Sequence, residues 1–177
     1  HLKPRGASGS RRKDGRDVVG GLRSAGWATA DTAAAMTALS SAPATRRLLG
    51  VFAEGDMKGV YERKAGRAPG QPGLVEMQDA ALAVLGRSEK GFFLMTEGAL
   101  IDKYSHDLDW ERAVLDTLEF DNAVARAKAF AARDGRTLVL VISDHTHGAA
   151  VSGMVRDDLP GPDMRDKVGT YDWAGYP

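Results

Sequence analysis

Apolar residues along the chain follow two patterns, one spaced like a helix face and one continuous. Residues 74–85 (LVEMQDAALAVL) have the spacing of an amphipathic helix, with Gly86 as its stop. A longer helix is expected from about residue 109 to 132. There Phe120, Ala123, Val124, Ala127 and Ala131 stand at i, i+3, i+4, i+7 and i+11, which is one buried face, and Gly135 ends the region. Residues 17–25 (DVVGGLRSA) read as a short helix stopping at Gly26, although Gly20 and Gly21 weaken it. The Ala-rich residues 32–39 read as another, with Asp31 as the expected N-cap.

The continuous runs are residues 47–52 (RLLGVF), 92–96 (FFLMT) and 137–143 (TLVLVIS), and each reads as a buried strand. Unbroken apolar, β-branched strands suit a parallel sheet covered on both faces. FFLMT, the long helix and TLVLVIS form a strand–helix–strand series, so the expected class is α/β, a mostly parallel sheet flanked by helices. Residues 54–73 are rich in Gly and Pro and read as loop. The expected organisation is one α/β segment: a loop over 1–15, a core over 16–148 carrying the chemistry, and an irregular tail over 149–177 rich in Asp, Gly and Pro.

Composition narrows this picture. The 177 residues are 43% apolar and 27% charged, a globular balance with enough chain for a core. Lys plus Arg equals Asp plus Glu at 24 each, so no basic excess suggests nucleic-acid binding. The short run Arg11-Arg12-Lys13 is followed by Asp14, Arg16 and Asp17, and reads as a solvated approach to the first helix. No apolar run nears the roughly 20 residues that span a bilayer. There is no cysteine, so a transition metal would have to be held by His, Asp and Glu. The chain opens at His1 without an initiator Met and shows no signal peptide, which reads as a start inside a larger protein.

Ligands of open α/β sheets bind beyond the carboxyl ends of strands. After FFLMT come Glu97, Asp102, Lys103 and His106; after TLVLVIS come Asp144, His145 and His147. Asp102 and His106, at i and i+4, share one side of a helical turn and can meet at one ion. Asp144 and His145 are adjacent where the chain leaves its strand, and a bend lets both reach one metal. Oxygen and imidazole nitrogen suit zinc, two such pairs suit a two-metal hydrolase, and Glu97 offers a hard oxygen suited to magnesium. Each piece alone also fits an ordinary loop or helix turn; the expectation comes from their grouping.

Residues 72–148 closely resemble the metal-site region of bacterial alkaline phosphatases. The resemblance is carried by EKGFFLMTEGALIDKYSH (89–106), DTLEFDNAV (116–124) and TLVLVISDHTHG (137–148), with RLLGVFAEGDM (47–57) similar to the preceding strand and loop. It implies part of a three-layer α/β domain. It implies Glu97 as a magnesium ligand, Asp102 and His106 on one zinc, and Asp144 and His145 on a second. Lys103 would lie near bound phosphate, and His147 would support a ligand without touching metal. The reaction implied is hydrolysis of phosphate monoesters through a covalent phospho-enzyme, in an exported protein that forms a homodimer.

The family also needs a Ser or Thr nucleophile, an upstream aspartate, a phosphate-clamping arginine and a downstream zinc-binding histidine, and none can be placed in these residues. The expectation is therefore a fragment inactive by itself. The alternatives are a non-catalytic metal-binding remnant, or a relative acting on phosphodiesters or sulfates.

Overall fold

The computed structural model describes residues 14, 16–147 and 159–161, which divide after Glu97 into two units. The basic run 11–13 lies outside the described residues, as do most of the opening loop, Gly148 and nearly all of the tail over 149–177.

The first unit contains α1 (Val18–Ser24), β1 (Ala28–Ala30), α2 (Ala33–Ser41), β2 (Leu48–Gly50), α3 (Val60–Lys64) and α4 (Leu74–Leu85). β1 and β2 pair in parallel, with Ala28 opposite Leu48 and Ala30 opposite Gly50. Parallel neighbours need a crossover, and α2 supplies it, so the strand–helix–strand unit of this fold is β1–α2–β2. Met36 of α2, Ala30 of β1 and Ala80 of α4 are buried together, with Leu39, Leu48, Phe52 and Met77 packed around them.

The ends of these helices follow from side-chain chemistry. Thr32, not Asp31, caps α2: its backbone is extended and its hydroxyl accepts from the Ala35 amide at 3.3 Å. A cap must immediately precede the first helical residue, and the helix starts at Ala33, which places Asp31 one residue too early. At the other end, the half-buried Arg87 guanidinium donates to the carbonyls of Ser40 (2.6 Å), Ala42 (2.9 Å) and Thr45 (3.1 Å). It thereby satisfies acceptors left open at the helix C-terminus. α4 has the expected bounds; at its start the Gly73 amide donates to the Glu76 carboxylate at 2.7 Å.

The second unit contains α5 (Ala99–His106) and α6 (Trp110–Asp134). α6 carries the expected face: Ala123 is buried, and Phe120, Val124, Ala127 and Ala131 are half-buried. Asp109 caps its start, and Gly135 ends it in the left-handed region at φ 70°. The Asp134 carboxylate then organises the exit, accepting from the Thr137 hydroxyl at 2.7 Å and the Arg136 amide at 3.2 Å. No described helix is long and apolar enough to cross a membrane.

The expected strands 92–96 and 137–143 belong to no hydrogen-bonded ladder among the described residues. Exposure alternates between half-buried and open from Phe92 to Thr96 and from Thr137 to Leu140, the two-residue period of extended chain. What is missing is a paired neighbour, and the outward residues are bare: Phe93 is 87% exposed and Ile142 85%. Composition set the extended tendency of these segments, but a strand also needs a partner's amides and carbonyls.

Candidate metal centre

Asp102, His106, His145 and His147 come together in the second unit around one carboxylate oxygen. α5 presents Asp102 and His106 one turn apart, and His106 Nε2 lies 3.5 Å from Asp102 Oδ1. The loop after TLVLVIS delivers the other two imidazoles. His145 Nε2 is 3.4 Å from the same Oδ1, and His147 Nε2 is 2.9 Å away. Asp144 reaches the group through His145, whose Nε2 is 3.4 Å from Asp144 Oδ2. The bend that lets Asp144 and His145 face one region is held by the Ser143 hydroxyl, which donates to the His145 carbonyl at 2.6 Å.

Exposure grades across the cluster. The His147 side chain is 22% exposed and lies innermost, whereas that of His106 is 67% exposed. The His106 and His147 rings meet edge to face with centroids 4.6 Å apart. The Asp102 carboxyl is held below its ordinary value, first by the hydrogen bond from His147. Partial desolvation opposes this, and the fields of His106, His147 and His145 add to it. Asp102 is thus kept as an anion, the form a metal requires.

The donor chemistry fits zinc. One ligand atom from each of Asp102, His106 and His147 lies within 4.8 Å of the others. Ligands 2.0–2.2 Å from a tetrahedral zinc stand about 3.3–3.6 Å from one another. The separations within the two expected pairs, 3.5 Å for Asp102 and His106 and 3.4 Å for Asp144 and His145, match that spacing. His145 Nδ1 faces the Thr146 carbonyl at 3.3 Å. In the tautomer that donates there, Nε2 carries a lone pair 3.4 Å from both Asp102 Oδ1 and Asp144 Oδ2. A cation would satisfy all three groups, and a backbone carbonyl on the far ring nitrogen is the usual support for a metal-binding imidazole.

The other expected residues are placed less tightly. Lys103 is exposed on α5, a helical step of about 100° round from Asp102. Glu97 is exposed at the last position of the first unit, five residues before Asp102 in sequence. Reading the sequence did not find the buried pair Asp109–Arg112 behind α5, with Arg112 Nη1 donating to Asp109 Oδ2 at 2.7 Å. The D-x-x-R spacing at the start of α6 was its signal.

Taken together, this is an α/β chain with a carboxylate–imidazole cluster where a helix meets the loop after the extended segment 137–143. Comparison with known proteins specifies it further. A family model described as alkaline phosphatase matches residues 3–169. The chain is 34% identical over 167 residues to an alkaline phosphatase of Escherichia fergusonii, covering 84% of this chain and 35% of that protein. Its fold is similar to Thermus thermophilus alkaline phosphatase, with TM-score 0.64 and 32% identity over 71% of this chain and 26% of that one. It is also similar to the alkaline phosphatase of the Antarctic bacterium TAB5, with TM-score 0.58 and 29% identity over 70% and 34% of the two chains. The chain belongs to the alkaline phosphatase family, and it spans about a third of the length of the curated relatives it matches.

Proposed function

We propose that this chain supplies metal-holding residues to a phosphate monoesterase with two zinc ions and one magnesium ion. The observation that carries the reading is the gathering of three imidazole nitrogens within 2.9–3.5 Å of Asp102 Oδ1, with Asp144 Oδ2 3.4 Å from the same His145 Nε2. Asp102 and His106 would hold one zinc, Asp144 and His145 the other, and Glu97 would bind magnesium. Zinc and magnesium, when bound, supply Lewis-acid stabilisation of the oxygens around a transferring phosphoryl group.

The residues of this chain have definable tasks. Asp102 provides an anionic oxygen whose ionisation is secured by His147. With its proton on Nε2, His147 donates to Asp102 Oδ1 and fixes the carboxylate's rotation. Lys103 would offer a cation to the substrate phosphate, and no residue of the chain is assigned as nucleophile. Family resemblance further supports an exported homodimer that attacks phosphate with a Ser or Thr, and a chain inactive in isolation.

The test is hydrolysis of p-nitrophenyl phosphate and of bis(p-nitrophenyl) phosphate by the protein that contains this chain, with and without a chelator. Zinc-restored hydrolysis of the monoester, abolished by Asp102→Ala, is expected. Equal turnover after exhaustive chelation, or preference for the diester, would overturn the reading.

A further inference from the structure

Behind the Asp102–His106 turn lies a corner whose construction is energetically unusual. α5 ends at His106, and Leu108, two residues on, adopts φ 55° in the left-handed region. Among the described residues it is the one non-glycine with positive φ. For a leucine this costs roughly 1–2 kcal/mol. The conformation closes the helix: the Leu108 amide donates to the Ser105 carbonyl at 3.1 Å and the Asp109 amide to the Tyr104 carbonyl at 2.8 Å.

Asp109 is therefore tied by its backbone to the last turn of α5 while its side chain starts α6. Oδ1 accepts from the Arg112 amide at 3.3 Å, and Oδ2 from the Arg112 guanidinium at 2.7 Å. Both side chains are sealed from water, at 0% and 2% exposure. A buried ion pair gains little net stability, because desolvating both charges offsets their attraction. Strain at Leu108 and a buried pair at Asp109 thus adjoin the same helical turn, the kind of costly local construction that gathers at functional sites.

The far end of α5 is anchored on the same helix. A Cβ on Gly98 would stand 3.1 Å from both Phe120 and Ile101, so a side chain there would make these neighbours give by a few tenths of an ångström. The turn bearing Asp102 and His106 is fixed at both ends.

We infer that Asp109 and Arg112, acting through Leu108, are positioning residues that fix the last turn of α5, and with it His106, in the geometry of a metal site. This rests on the zinc reading above and adds a device to it. The pair lets the corner take one geometry, with the αL residue at its bend, and so sets the rotation of the turn that carries both ligands.

Two variants test this, each read out as zinc affinity by calorimetric titration and as melting temperature of the metal-free chain. Asp109→Asn/Arg112→Met removes both charges together, keeps a capping side chain and roughly keeps volume. Leu108→Gly removes the backbone strain and loosens the bend. Metal-free stability is expected to hold in both, with zinc affinity about 10–100-fold lower in the double variant and several-fold lower in Leu108→Gly. Arg87→Ala, in the first unit, should lower stability and leave affinity unchanged. If the double variant fails to fold, Leu108→Gly decides. Folded variants that bind zinc as tightly as the unaltered chain would overturn the inference. An unaltered chain that binds no zinc would instead sink the metal reading beneath it.

Discussion

His147 Nε2 stands 2.9 Å from Asp102 Oδ1, although 45 residues separate them in sequence. The contact joins the loop after TLVLVIS to α5, and it is the largest cause of the lowered Asp102 pKa. Removing it should free the carboxylate to rotate and raise its pKa toward the ordinary value. His147→Ala is expected to weaken zinc binding about 10–100-fold, the range for residues that orient metal ligands. His147→Asn can still donate to Asp102 and should recover part of the loss. Equal affinity in all three proteins, measured by competition with a chromophoric chelator, would remove His147 from this role.

The start of α2 gives a sharper test of local structure. The Thr32 hydroxyl accepts from the Ala35 amide, whereas Asp31 is exposed and precedes the cap. Thr32→Ala should cost about 1 kcal/mol in a denaturant titration, and Asp31→Ala less than about 0.5 kcal/mol. The reverse order would return the cap to Asp31.

The reasons one part of this molecule is legible in sequence and another is not differ by element. α4 and α6 are local: their periods and stop glycines are enough, and Asp109, at the start of the expected long helix, caps α6 as its side chain allows. The i, i+4 pair Asp102 and His106 is equally local, because any helix puts the two on one side. β1, with only the residues Ala28–Ala30, is too short to show a period, and it exists because Leu48–Gly50 lies beside it. α3 is one short turn within a Gly- and Pro-rich stretch. FFLMT and TLVLVIS have strong strand composition, yet pairing is a property of two segments and composition belongs to one. The Leu108 bend was invisible for a different reason: leucine rarely takes positive φ, so nothing in its identity signals the bend.

Acid sensitivity should appear at the exit of α6. The Asp134 pKa is lowered, chiefly by the hydrogen bond from the Thr137 hydroxyl, with the Arg136 amide and charge adding and partial desolvation opposing. A carboxyl whose folded pKa lies below its unfolded value stabilises the fold at pH values above the unfolded one, about 3.9. That contribution is lost as pH falls through the folded pKa. Thr137→Val removes the main cause, so the Asp134 carboxyl should titrate at higher pH. A ¹³C-detected carboxyl titration of both proteins reads this directly, and coincident curves would show that Thr137 does not hold the pKa down.

Zinc should also stabilise the folded second unit, because the cluster sets carboxylates and lone pairs against one another. Asp102 and Asp144 both lie 3.4 Å from His145 Nε2, an arrangement that is repulsive unless a proton or a cation sits among them. A metal ion placed among these groups would relieve the repulsion in place of a proton. A ligand that binds only the folded state adds RT ln(1 + [L]/Kd), about 2.7 kcal/mol at a hundredfold excess over Kd. The melting temperature should therefore climb with zinc concentration and fall back when a chelator is added. Asp102→Asn keeps the size of the side chain and removes the anion, so it should abolish most of the dependence while leaving the metal-free melting temperature near that of the unaltered chain. Asp144→Asn, whose carboxylate is the more exposed and reaches Asp102 only through His145, should remove a smaller part. A melting temperature indifferent to zinc in the unaltered chain would mean that the cluster is held by hydrogen bonds alone.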